Sequence, residues 1–180
     1  MKKHEELFFE VFHWLKETYN EHHFFTERDI VWTFQKKLIE LIKLNNLPYK
    51  VISDYGLIKG SNRSKSVDIA IIDSKMDINE LHKKVKLAIE FKYEPNKLRA
   101  GNDIPKQKCN DIPKQKFPVT SWNLINKDID RIKNYKSNKK AVSSIFLLID
   151  EGGRYLNRDI NLISKWQQNS NGINFLLIIL

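Results

Sequence analysis

The sequence predicts an α/β fold with a mixed central sheet flanked by helices, and three observations lead there. Two N-terminal segments carry apolar residues at helical spacing before any strand-like run begins. Three consecutive runs rich in β-branched and aromatic residues follow, punctuated by turn residues. A further helical segment then precedes another apolar run. Consecutive strands followed by a helix and a strand give a sheet with helices on its faces.

Element by element, Leu7, Phe8, Val11, Phe12 and Leu15 mark a first helix over His4 to Asn20. Thr26 is placed as the N-cap of a second, with Glu27 and Asp29 in its first turn and Pro48 beyond its end near Asn46. Tyr49 to Lys59 reads as a strand, Gly60-Ser61-Asn62 as a turn, and Ser66 to Asp73 as a second strand. Asp77 to His82 fits a short helix or loop. Lys86 to Glu94 is a third strand, ended by Pro95. GNDIPKQK (101–108) and CNDIPKQK (109–116) then follow each other with seven of eight positions identical. Two copies of eight residues are too few and too short for a repeat fold, so this is a tandem duplication in a polar loop. Trp122 to Tyr135 is a helix with Ile125, Ile129 and Ile132 on one face, and Ala141 to Asp150 is a strand. Glu151-Gly152-Gly153 is a turn, Asp159 to Asn169 is expected as a last helix, and Ile173 to Leu180 as a closing buried strand.

The 180 residues suit one domain, and 41% hydrophobic residues suffice for a core. No apolar stretch is long enough to span a membrane, and acidic residues interrupt the N-terminal apolar run, so neither a membrane span nor a secretory signal is expected. A single cysteine, Cys109, excludes an intrachain disulfide framework and a thiolate metal cluster, and suits a cytoplasmic setting. His22 and His23 are adjacent rather than one helical turn apart, and no cysteine pair accompanies them, so they do not make a zinc site. No phosphate-binding glycine loop and no G-x-S-x-G elbow is present. The net charge of +9 fits a polyanionic partner.

Chemistry concentrates on the second and third strands. Asp68 lies among Val67, Ile69, Ala70, Ile71 and Ile72, in a strand apolar on both faces. A buried carboxylate there needs a metal or a basic partner. Along the third strand Ala88, Glu90 and Lys92 alternate with Ile89, Phe91 and Tyr93, so Glu90 and Lys92 share a face. Pairing of the two strands puts Asp68 on that face, with Ala70 and Ala88 leaving room. Two carboxylates form a hard oxygen site suited to Mg²⁺, and a lysine beside them can position a water or steady a phosphate. Taken alone, Glu90 and Lys92 would be an ion pair on a solvated strand; Asp68 roughly twenty residues earlier tips the balance toward catalysis. On the second helix Glu27 falls within the stripe of Ile30, Val31, Phe34, Leu38, Leu41 and Ile42, while Glu40 falls opposite. Glu27 either completes the metal site or matches the helix dipole.

A core-facing Glu27, then VDIAII with Asp68, then AIEFKYE with Glu90 and Lys92, resembles the PD-(D/E)xK nuclease superfamily. The resemblance implies a restriction-endonuclease-like core of helix, three strands, helix and strand over about residues 26–150; outside it lie a helical extension at 1–25 and a C-terminal helix-and-strand extension at 151–180. It implies Mg²⁺-dependent hydrolysis of nucleic acid, DNA in the first place, with Mn²⁺ a workable substitute. Asp68, Glu90 and the carbonyl of Phe91 become metal ligands, Lys92 the motif lysine, and Glu27 the helix glutamate of some branches. ERDIVW, FKYEP, DIPKQKFPV, KDIDRI and FLLIDEGG resemble an uncharacterised bacterial, often cyanobacterial, branch. The second DIPK copy departs from that pattern.

Arg99, Lys106, Lys108, Lys114 and Lys116 in or beside the doubled loop, with Lys127, Arg131 and Lys133 on the next helix, fit the rim of a nucleic-acid cleft. Asp128 and Arg131, one turn apart, can also pair with each other. Tyr93 and Trp122 suit core packing better than base stacking. The first helix could mediate a homodimer. The rival reading is a non-catalytic nucleic-acid-binding or interaction subunit of a mobile-element or defence complex.

Overall fold

In the computed structural model, residues 2–58, 65–75, 85–96, 120–156, 158 and 164–180 are described. Helix α1 (Lys3–Thr18) runs into one turn of 3₁₀ helix (Tyr19–Glu21). Helix α2 (Glu27–Leu44) precedes strands β1 (Tyr49–Ile58), β2 (Lys65–Asp73) and β3 (Val85–Glu94). Helix α3 (Trp122–Ser137), strand β4 (Ala141–Asp150) and the strands β5 (Ser164–Gln168) and β6 (Asn174–Ile179) complete the chain. The expectations for the octapeptide pair at 101–116 and for Asp77 to His82 fall outside the described residues.

The six strands form one mixed sheet in the order β1-β2-β3-β4-β6-β5. Only β3 and β4 run parallel among these neighbours, joined by the connection that contains α3. Helices α1 and α2 cover one face. Their Phe8, Phe12, Leu15, Ile30, Phe34 and Leu38 pack on Ile69, Ile71, Ile89, Phe91, Ile145 and Leu147. Helix α3 covers the other, with Ile125, Ile129, Ile132 and Tyr135 against Ala70, Ile72, Ala88, Phe146 and Leu148. Strand β4 is buried along nearly its whole length, which is why AVSSIFLLID lacks polar alternation. α1 is no appendage: Phe8 lies 5.3 Å from Phe34 and Phe12 lies 5.8 Å from Phe175.

Helix starts are fixed locally. The Thr26 hydroxyl accepts from Asp29 N–H, and the Asp29 carboxylate accepts from Thr26 N–H at 2.8 Å, a reciprocal cap that sets Glu27 as the first helical residue. Ser121 caps α3 by accepting from Leu124 N–H.

The expected last helix over Asp159 to Asn169 is corrected. Ser164–Gln168 is an edge strand paired antiparallel with β6, Trp166 lying opposite Leu176; residues 159–163 of the expected helix lie outside the described residues. A hairpin turn wins over helix propensity here. Gly172 adopts φ +81°, and the Asn169 side chain accepts from the N–H groups of Asn171 and Ile173. Asn171-Gly172 between two strand-like runs was the available signal.

Phe34 joins the layers where the chemistry lies, its ring 5.3 Å from Phe8 and 5.2 Å from Phe91, all three buried. Phe34→Ala is expected to destabilise the fold by about 3–5 kcal/mol. Urea denaturation measures this, and a loss below about 1 kcal/mol would contradict the packing described.

Candidate functional site

The site sits where the sheet forks. β2 and β3 pair through Ala70↔Ala88 and Ile69↔Ile89. Continued one step, that register sets Asp68 opposite Glu90. There the ladder stops. β2 goes on with β1 as far as Lys65, and β3 goes on with β4 as far as Glu94. The Asp68 carboxylate takes the place of a backbone partner, accepting from Phe91 N–H at 2.7 Å. A strand donor is satisfied, and a carboxylate is fixed at the crotch of the fork.

Burial at this point comes from both helical layers. The Ala70–Ala88 pair offers α3 no side chain beyond Cβ, and both residues are fully buried under its Ile129 and Ile132 cluster. The Tyr135 hydroxyl donates to the Ser66 carbonyl at 3.0 Å and ties α3 to β2 two residues before Asp68. On the other side the N-terminus of α2 brings in Glu27.

These elements bring the expected residues together. Lys92 Nζ lies 3.2 Å from both Glu27 oxygens, 3.1 Å from the Phe91 carbonyl and 3.1 Å from Asp128 Oδ2. Arg131 NH1 pairs with Glu90 Oε1, and its NH2 lies 2.5 Å from Asp128 Oδ1. Glu90 is 2% exposed, and its Oε2 has no hydrogen-bond partner among the described residues. Four carboxyl groups (Glu27, Asp68, Glu90 and Asp128) therefore meet two side-chain cations.

The electrostatics follow from that imbalance in a buried place. Burial, then the Asp68 carboxylate, push Glu90 up to about 9, outweighing the Arg131 guanidinium. Burial also raises Asp68, against the Phe91 N–H bond and Lys92. It raises Glu27 too, against the pull of Lys92. For Lys92 burial disfavours the charge, but Glu27, Asp128 and Asp68 win and hold its pKa above the ordinary lysine value. Lys92 is thus a fixed cation and donor, unsuited to act as a general base near neutral pH.

Two participants escaped the sequence reading. Asp128 was placed only as a helix partner of Arg131. It is 5% exposed and bridges Lys92 to Arg131. An aspartate at the edge of the Ile125–Ile129–Ile132 stripe was its signal. Asp54 is the other. It lies between the pairs Ser53↔Ile69 and Tyr55↔Val67, opposite Asp68, with φ +50° in a strand. Its charge raises Asp68 further.

The remaining expectations divide. Arg131 turns inward onto Glu90 and Asp128, with its side chain 32% exposed. Lys127 is exposed, and Lys133 pairs with Asp130 at 3.0 Å. Arg99, Lys106, Lys108, Lys114 and Lys116 lie outside the described residues. Glu40 pairs with Lys37 on the solvent side of α2, away from the site. Tyr93 is buried and donates to Glu151 at 2.9 Å, and Trp122 stacks on Tyr155 at 5.5 Å, so both serve packing. No helix among the described residues is long and apolar enough to cross a membrane.

A second polar cluster sits at the ends of β3 and β4. Glu151 accepts from the Tyr19 hydroxyl and from Asn96 N–H, each at 2.8 Å, and Glu94 accepts from Thr120 N–H at 2.9 Å. These buried carboxylates fasten the chain on either side of residues 97–119.

Whether the site suits a divalent cation turns on its donors. No group of three or more His, Cys, Asp or Glu side chains converges in a metal-sized cluster among the described residues. Two carboxylates at the end of the β2–β3 ladder, one with an oxygen buried and unpartnered among the described residues, and the adjacent Phe91 carbonyl are nevertheless hard oxygen donors. The excess of carboxyl groups favours a cation, and the residues present fit one. No family model, no curated protein and no solved structure matches the chain.

The pKa of Glu90 has a stability consequence. Folded, its carboxyl keeps a proton to about pH 9; its ordinary value is 4.5. Between those values the unfolded chain binds fewer protons, so stability falls as pH rises. Glu90→Gln, which mimics the protonated group, is expected to stabilise the metal-free protein. The gain should grow from about pH 5 to about pH 9 and be on the order of 1–3 kcal/mol at neutral pH. Melting curves across that range in EDTA test this; a gain independent of pH would refute it.

Proposed function

We propose that the chain is a divalent-cation-dependent phosphodiesterase that hydrolyses nucleic acid, DNA in the first place, as an endonuclease of the PD-(D/E)xK type. One observation carries the reading: Asp68 and Glu90 lie one residue beyond the last β2–β3 pair, at the sheet fork, with Lys92 held charged beside them and a Glu90 oxygen buried without a partner among the described residues. The order of helix, three strands, helix and strand over Glu27–Asp150 supports the restriction-endonuclease-like core that the sequence motifs suggest. The net charge of +9 supports a polyanionic substrate.

In this mechanism Asp68, Glu90 and the Phe91 carbonyl hold Mg²⁺, or Mn²⁺ in its place. The cation, when bound, supplies Lewis acidity toward a phosphate oxygen and makes a bound water more acidic. Lys92 contributes a fixed positive charge and N–H donors near the Phe91 carbonyl, where they can orient the attacking water or stabilise charge developing on the phosphate. Glu27 and Asp128 hold that ammonium from two sides, so its position does not depend on the substrate. No side chain attacks the phosphate: the water oxygen forms the new P–O bond as the bond to the leaving oxygen breaks, its proton passes to solvent, and the leaving oxygen takes up a proton from solvent.

A second reading draws on a specific observation. Arg131 and Lys92 pair with three of the four carboxyl groups through side chains alone, as in a site that binds nucleic acid without cutting it. Incubation of the purified protein with plasmid DNA and with RNA, in Mg²⁺ or Mn²⁺ and in EDTA, separates the two. Metal-dependent cleavage is expected, with Lys92→Ala and Asp68→Ala each reducing the rate by about 10²-fold or more. Binding without cleavage in every condition, or undiminished cutting by a folded Asp68→Ala protein, would overturn the nuclease reading.

A further inference from the structure

We propose that Arg131 competes with the divalent cation for Glu90 and, once displaced, becomes a contact for the substrate phosphate. The inference rests on the metal-dependent reading above and assigns Arg131 a role within it. Cation entry and substrate binding are thereby linked through one side chain.

The geometry of the guanidinium points there. Arg131 divides its two terminal nitrogens between two carboxylates, NH1 on Glu90 and NH2 on Asp128. The two are unequal anchors. Asp128 lies one turn away on the same helix, and its other oxygen is held by Lys92 at 3.1 Å. Glu90 comes from β3, and its oxygens belong to the proposed cation site. A cation that takes up Glu90 removes one anchor and leaves the other. Arg131 then stays tethered to Asp128 with its NH1 donors released.

What the released donors could do follows from chemistry and exposure. A guanidinium carries five N–H donors in a planar fork, and its fit to phosphate oxygens is better than that of any other side chain. About a third of the Arg131 side chain already faces solvent, while Glu90 and Asp128 beneath it are buried. The Arg131 side chain therefore reaches from the buried carboxyl pair to the solvent boundary of the site. Lysine at this position could pair with a carboxylate as a point charge, as Lys92 does, but it could not present a planar fork to a phosphate.

Competition predicts opposite signs for two measurements, which a merely structural residue would not give. Mn²⁺ binding is measured by calorimetry, without substrate, on wild type, Arg131→Met, Arg131→Lys and Lys133→Met. Arg131→Met should bind Mn²⁺ more tightly than wild type by about fivefold or more. Arg131→Lys keeps the charge and loses the fork, so an intermediate gain separates the specific contact from general charge repulsion. Lys133→Met, which removes a cation paired elsewhere, should match wild type. At saturating Mn²⁺ the KM for a duplex substrate should rise in Arg131→Met, with a smaller change in kcat. Equal Mn²⁺ affinity in wild type and both Arg131 variants, with binding that Asp68→Asn abolishes, overturns the competition and leaves the metal reading intact. No Mn²⁺ binding in any protein overturns both. Tighter metal binding with an unchanged KM refutes the phosphate contact. Should Arg131→Met fail to fold, Arg131→Lys carries the same comparison.

Discussion

Four carboxyl groups and two side-chain cations share one largely buried place between the helical layers, and the rest of the site can be understood from that imbalance. An interior of low polarity does not tolerate uncompensated negative charge. The excess can be met by holding a proton, and burial beside Asp68 favours that at Glu90 by raising its pKa to about 9. It can also be met by taking in a cation, which is the functional reading advanced here. Lys92 and Arg131 limit the excess without removing it, and the same contacts fix where each of them points.

The sheet makes the imbalance possible. Regular pairing of β2 with β3 through Asp68 and Glu90 would use their backbone groups and leave the two carboxylates on a plain strand face. The strands separate at that position instead. Each stays paired on its far side, and the Asp68 carboxylate satisfies the Phe91 donor the missing ladder would have left open. Phe91 is thus committed three ways: its N–H to Asp68, its carbonyl to Lys92 and its ring to Phe34 in the core. Core packing and site geometry meet in this one residue.

Much of this was legible in the sequence, for reasons that differ by residue. Asp68 stood out because a charged group in an apolar strand is costly and needs an explanation, and Glu90 with Lys92 gained meaning only beside it. Their shared face followed from strand alternation, and the structure keeps it. Glu27 was found from helical periodicity and lies against Lys92. Asp128 was less visible: one aspartate next to an apolar helical stripe looks like an ordinary surface residue until α3 is docked on Ala70 and Ala88. Arg131 was read as facing a substrate because exposed and inward arginines look alike in sequence. Asp54 depends on a left-handed backbone in a strand, which no periodicity signals. Within the C-terminal hairpin the closing strand was legible, but Ser164–Gln168 is too short for periodicity to separate strand from helix, and its turn rests on the two residues Asn171-Gly172.

The central claim is that Asp68 and Glu90 exchange a proton for a divalent cation. Calorimetric titration with Mn²⁺ near neutral pH, in buffers of different ionisation enthalpy, tests it most directly. The account predicts binding that releases about one proton, with the release lost in Glu90→Gln and binding lost in Asp68→Asn. Binding that releases no proton, or that survives loss of Asp68, would contradict it.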